Sequence, residues 1–225
     1  MLRAAAAGDL RALVAAGMPG LIKVAGAAQA GNSPEQFQEI ATAWLASARD
    51  GRWRRPYTEL VYRPMLEVLA LFATRGFTSF IVSGGGMEFV RAFSEKTYGI
   101  TPNRVVGTTF ALKPGEADGR ITLTREPHID FIDDGPGKPV GIARFIGRRP
   151  IAAFENSDDD YQMLRYTTEG AGARFGMIVH HDDAEREYAY DRHTQFGRLD
   201  KALDEAPARS WSEISMKEDW ARIFA

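Results

Sequence analysis

The chain runs to 225 residues, 44% of them hydrophobic, with no cysteine and a net charge of −2. That length suits one α/β domain, or a core of about 150 residues with a smaller appendage. The missing cysteines exclude a disulfide scaffold, a zinc–cysteine site and a cysteine nucleophile. The balanced charge gives no electrostatic sign of a nucleic-acid partner. No run approaches the roughly 20 apolar residues that span a bilayer. The start has only Arg3 ahead of a broken apolar stretch, without the regions of a signal peptide, so the chain reads as soluble and cytoplasmic as it stands.

Residues 1–55 read as a helical unit. The stretch 2–15 is alanine-rich with Leu2, Leu10, Leu13 and Val14 as apolar positions, and Met18-Pro19-Gly20 is expected to break it before a second apolar segment over 21–30. Ser33-Pro34-Glu35-Gln36 is a helix start, with Ser33 as N-cap, Pro34 at the first helical position and Gln36 closing a capping box. Phe37, Ile40, Ala41, Trp44 and Leu45 follow at helical spacing. Arg49, Arg52, Arg54 and Arg55 then surround Trp53, as a solvated linker or, on a sharper reading, as a positive rim facing an anionic substrate.

From residue 56 the pattern is that of an α/β core. A helix is expected from near Pro64 to Gly76, burying Met65, Leu66, Val68, Leu69 and Phe72. Phe80-Ile81-Val82 has the continuous apolar character of a strand buried on both faces. Ser83 stands at its end, and Gly84, Gly85 and Gly86 allow a tight turn into a helix that carries Phe89, Val90 and Phe93 on one face and stops at Gly99. Helix, strand, glycine turn and helix in succession are the rhythm of a parallel sheet.

Residues 104–109 read as the next strand. A turn over 113–119 and an alternating arm over 121–124 make a β-hairpin insertion near 110–125. The loop 133–137 leads to Lys138, a helix is expected over 140–146, and 150–154 is another short buried strand. The loop Asn156-Ser157-Asp158-Asp159-Asp160 precedes a helix from Tyr161, and 175–179 is a strand ending in His180-His181-Asp182-Asp183. Two helices near 182–191 and 197–206 and a strand around 211–214 complete the chain.

Polar groups thus gather at strand ends, where open α/β sheets bind ligands. Ser83 and the bare amides of the glycine turn suit an anion, although such turns are common as plain structure. Asp158, Asp159 and Asp160 suit a hard divalent cation, or else a solvated turn capping the Tyr161 helix. Lys138 can bring an ammonium to an anion, although a lone loop lysine is more often a surface residue. His180 and His181 read as structural, because one of two adjacent strand residues points into the core. No catalytic triad or zinc spacing is present.

In this order the motifs resemble those of the haloacid dehalogenase-like (HAD) phosphohydrolases, specifically their phosphoserine-phosphatase-like branch. Phe80-Ile81-Val82-Ser83-Gly84-Gly85 matches the family's second motif, Lys138 in Gly-Lys-Pro its third, and Asn156 to Asp160 its fourth. The resemblance implies a Rossmann-like three-layer parallel sheet, with residues 1–55 as part of a helical cap and 56–225 as the core. It also implies a phosphatase that hydrolyses a small phosphorylated substrate through an aspartyl-phosphate, with magnesium (Mg²⁺) as cofactor. Ser83, Gly84 and Lys138 would hold and neutralise the phosphoryl group. Asn156 and Asp160 would anchor the metal, with Asp159 crowding it or adding a carboxylate.

The family's first motif, an apolar strand running into Asp-x-Asp-Gly-Thr, is absent. Asp133-Asp134-Gly135 is the nearest string, and no nucleophile is found. In the family that strand lies between those ending at Ser83 and Asn156, and its loss leaves two open edges that favour self-association. The chain therefore reads as truncated and catalytically incomplete, with intact relatives that are often exported. The alternative is a non-catalytic phosphate- or partner-binding module derived from the fold. Nucleotide binding at the glycine turn is a weaker reading, because no Gly-x-Gly-x-x-Gly or Walker pattern occurs.

Overall fold

The protein is described by a computed structural model covering residues 17–194 and 197–225; the expected helix over 2–15 lies outside them. It is a mixed α/β chain. The helical unit comprises α1 (Gly17–Gln29) and α2 (Pro34–Ser47). Pro19 falls in the first turn of α1, where its missing N–H has no helical partner to lose, so Met18-Pro19-Gly20 belongs to the helix instead of breaking it. The capping box of α2 forms as expected: Gln36 N–H donates to Ser33 Oγ at 3.2 Å, and Ser33 N–H donates to Gln36 Oε1 at 2.9 Å. Two residues of the arginine stretch are tied to the end of the chain. Arg52 donates to the carbonyls of Ala184, Glu185 and Glu187, and Arg55 to that of Ala225.

The core runs α3 (Arg63–Thr74), β1 (Ile81–Gly86), α4 (Met87–Tyr98), β2 (Val105–Ala117), β3 (Arg120–Phe131), α5 (Gly137–Gly141), β4 (Ala152–Glu155), α6 (Tyr161–Thr168), β5 (Phe175–His180), α7 (Lys201–Arg209), β6 (Ser212–Ser215) and α8 (Met216–Asp219). Gly99 ends α4 in the left-handed region at φ 68°, as its type predicts. The hairpin is longer than expected. Its turn is only Asp118-Gly119, both with positive φ, and the strand passes through Pro114, which pairs opposite Leu123. No helix forms over 182–191. That segment is held by Arg186, which pairs with Asp183 and donates to the carbonyls of Met216, Lys217 and Trp220.

The strands form two sheets of three, one of them all parallel. One has the order β1-β2-β3, with β1 and β2 parallel and β3 antiparallel; the other is β4-β5-β6, all parallel. Each has its own apolar core. Met87, Val90 and Val105 pack beside β1 and β2, whereas Ala153, Leu164, Ile178, Ala202 and Trp211 pack around β4 and β5.

Between the two sheets lies a cavity of about 810 Å³, lined by β1, β4 and the apolar side of α3. Here the sequence expectation fails in an informative way. No residue of α3 is buried, Phe80 is 38% exposed, and Ile81 and Val82 are half-buried. The side chains have the apolar character of an interior, but the space on their far side is unfilled. No helix of the described residues is long and apolar enough to cross a membrane.

Candidate functional site

The site is built where β1 gives way to α4. Ser83 pairs with Gly107 of β2 and Gly86 with Thr108, so Gly84 and Gly85 bulge out between them and are exposed. The turn is held by small polar groups. Gly85 N–H donates to Ser83 Oγ at 3.1 Å, and Thr108 Oγ1 donates to the Gly84 carbonyl at 2.8 Å. The same Thr108 hydroxyl accepts the Asp133 N–H at 3.2 Å. Gly107 permits this approach, because a Cβ there would lie 2.9 Å from both the Gly85 carbonyl oxygen and Met87 Cα.

Lys138 is the hub. It is not a surface lysine: it is 3% exposed, its Nζ donates to the Val82 carbonyl at 2.9 Å, and it lies 2.7 Å from Asp160 Oδ1. The strand end carrying Ser83, the lysine and the last residue of the acidic loop are therefore brought together.

Carboxylates crowd the remaining space. Asp134 lies against Gly84, its Oδ1 3.0 Å from where a Gly84 Cβ would stand, and Gly135 N–H donates to the Asp159 carbonyl at 2.9 Å. Burial raises the Asp159 carboxyl above its usual range, and Asp134 and Asp160 add to the rise. Burial raises Asp160 as well, with Lys138 pulling the other way. Asp133 is fully buried, and neither of its oxygens has a hydrogen-bond partner. Burial pushes it up to about 6, against the pull of Lys138 and of the Ser83 amide, neither of which reaches it with hydrogen-bond geometry. Glu155, 5% exposed, is pushed by burial up to about 9; one oxygen accepts the Ser157 N–H at 2.7 Å and the other has no partner.

Two members of the fourth motif do other work. Asp158 caps α7 and not the Tyr161 helix, accepting the N–H groups of Asp200, Lys201 and Ala202 at 2.9–3.1 Å. Asn156 Nδ2 donates to the Tyr190 hydroxyl at 2.9 Å and lies 3.5 Å from His181 Nε2. His181 is buried and paired with Glu187 at 3.1 Å, as the structural reading of the histidines expects. Asn156 and Asp160 thus stand in separate networks. Among the described residues no group of three or more acidic or histidine side chains is arranged to hold a metal.

Chemically, this is an exposed backbone turn beside one buried ammonium and several carboxylates. Net negative charge there opposes a phosphoryl dianion unless a cation accompanies it. Thr108, Gly107 and Tyr190 are the residues that the sequence reading missed. Thr108 had a usable signal, a hydroxyl in the parallel strand beside the Ser83 turn, whereas Tyr190 sits in a segment with no regular pattern.

No protein-family model and no curated protein matches the chain. Among solved structures it is similar to a conserved protein of unknown function from Anaerococcus prevotii, with a TM-score of 0.59 and 20% identity, over 83% of this chain and 51% of that one. The chain spans about half the length of that protein. At this identity the likeness speaks for the fold alone.

Proposed function

We propose that this chain is the scaffold of a HAD-type, Mg²⁺-dependent phosphomonoester hydrolase of the phosphoserine-phosphatase-like branch, catalytically incomplete by itself. The observation that carries the reading is the buried Lys138 ammonium, held by the Val82 carbonyl at the Ser83 strand end and by the Asp160 carboxylate. Three short motifs, recognised separately along the chain, meet on one side chain. The finer fold, a Rossmann-like core with α1 and α2 as part of a cap, belongs to the same proposal.

In this reading Ser83 and the Gly84–Gly85 turn hold phosphoryl oxygens, and Lys138 offsets the charge that develops on them. A divalent cation would supply the further positive charge that phosphoryl transfer demands. The residues present fit that cation only in part, since Asp160 is paired with Lys138 and Asn156 with Tyr190. Asp133 does not serve as nucleophile while it is fully buried. The same absence supports a second reading, a phosphate- or partner-binding module without turnover.

The test is hydrolysis of an aryl phosphate by the purified chain, together with thermal stability measured with phosphate, Mg²⁺ and both. The expected result is no turnover, and a rise in melting temperature when phosphate and Mg²⁺ are added together that exceeds the sum of their separate effects. Rapid Mg²⁺-dependent hydrolysis would overturn the claim of incompleteness. No response to phosphate under any condition would overturn the phosphate site and leave the partner-binding module.

A further inference from the structure

Three aromatic side chains from three elements meet beside the glycine turn. Trp44 stands in the last turn of α2, Tyr57 in the 3₁₀ turn Tyr57–Glu59, and Phe89 in the first turn of α4. The Trp44 and Tyr57 rings are stacked, with centroids 5.5 Å apart and planes within 12°. Phe89 leans on Trp44 at 6.0 Å and is backed edge-on by Phe93 at 5.8 Å. Gly86 is the N-cap of α4, and a residue three places along a helix stands about 5–6 Å away. The row of rings therefore begins next to the exposed backbone of Gly84 and Gly85 and leads from there to α2.

Rings of this size usually find cover, yet Trp44 is 49% and Tyr57 42% exposed, and Ile40 on the preceding turn of α2 is 54% exposed. Single exposed apolar residues are ordinary on a protein surface. Here Ile40 and Trp44 are neighbours at i and i+4, and Tyr57 lies against Trp44, so the exposed surface is continuous.

We propose that this row is the platform for the organic part of the substrate, so that the site takes a phosphomonoester of a flat aromatic alcohol in preference to an aliphatic one. The inference deepens the phosphatase reading and rests on it. With phosphoryl oxygens on the Ser83–Gly85 turn, the ester oxygen comes to the start of α4. A ring carried on that oxygen meets Phe89, and a second fused ring reaches Trp44.

Two observations favour a neutral ring over a cation. The near-parallel stack of Trp44 and Tyr57 leaves no room for an ammonium group between the two faces, as an aromatic cage does. The carboxylates of the adjoining turns are already paired, Glu88 with Arg125 at 3.2 Å and Glu59 with Arg55 at 3.4 Å. An aliphatic group covers the same surface but gains none of the preferred ring–ring geometry.

The test uses phosphonates, whose P–C bond resists hydrolysis, on the full chain with Mg²⁺, by calorimetry and by NMR of the tryptophan indole protons. Naphthylmethylphosphonate is expected to bind about tenfold more tightly than its saturated decahydronaphthyl counterpart and than 2-(trimethylammonio)ethylphosphonate. It is also expected to shift the Trp44 indole resonance, assigned from its loss in Trp44→Phe. Trp44→Leu, apolar but not flat, is expected to bring the naphthyl and decahydronaphthyl compounds to equal affinity, whereas Trp44→Phe keeps part of the preference. Equal binding of those two compounds by the wild type, tighter binding of the trimethylammonio compound, or a preference untouched by Trp44→Leu would each overturn the platform and leave the phosphate site standing. No response to inorganic phosphate with or without Mg²⁺ would overturn the phosphate site, and the platform with it.

Discussion

Lys138 and Asp160 form a buried ion pair at 2.7 Å, with side chains 4% and 15% exposed, and the lysine also takes up the carbonyl of Val82. The pair links the two sheets at the end where both strands finish. A buried pair of this kind contributes little net stability, yet losing one partner is costly because the other charge is stranded.

Lys138→Met is therefore expected to lower unfolding free energy by about 3 kcal/mol at pH 8. The loss should shrink at pH 5, because Asp160, already raised by burial, then takes up a proton more readily. Adding Asp160→Asn should recover most of the loss. Urea unfolding of the wild type and the two variants at both pH values measures this, and a loss independent of pH would contradict it.

Glu155 sets a pH slope. Its ordinary value is 4.5 and burial holds it near 9, so between those limits the folded chain keeps a proton that the unfolded chain has released. Raising the pH across that window then favours unfolding. The penalty relative to pH 4.5 is roughly 3 kcal/mol at pH 7. Glu155→Gln keeps an acceptor for the Ser157 N–H and is expected to match the wild type near pH 5 and to exceed it in stability increasingly toward pH 8. Parallel stability curves would rule out a neutral Glu155 carboxyl.

Gly107→Ala tests the turn. The added Cβ meets backbone atoms of Gly85 and Met87, which no rotamer change relieves. The expected cost is about 1–3 kcal/mol, together with loss of any stabilisation by phosphate plus Mg²⁺. A variant that keeps that response would show that the turn does not hold the anion.

Asp158→Ala removes the acceptor of three N–H groups at the start of α7, whose Ala202 and Ala206 belong to the core around β5. A loss of about 1–2 kcal/mol is expected in chemical denaturation, with Asp158→Asn recovering part of it. An unchanged midpoint would mean that the cap contributes nothing measurable.

Much of the local structure was legible in residue order. The Ser33–Gln36 box, the helix from Met87 to the Gly99 stop and the strands at 105, 152 and 175 follow from periodicity and capping, which act over a few residues. The hairpin turn and the 182–191 segment differ from what local pattern implies. Pro114 stays in its strand by cross-strand pairing, and Arg186 is held by carbonyls about 30 residues away.

By itself, then, the sequence determined the alternation of helices and strands, a change of chain direction at the glycines after Ser83 and the apolar character of β1 and α3. Tertiary structure alone decided that Lys138 is buried, that Asp158 caps a helix some 40 residues downstream, and that Asn156 turns to Tyr190 while Asp160 turns to Lys138. It also decided that the apolar faces of β1 and α3 border an unfilled cavity between two sheets. An apolar run reports that a surface needs covering, whereas what covers it depends on contacts between residues far apart in the chain.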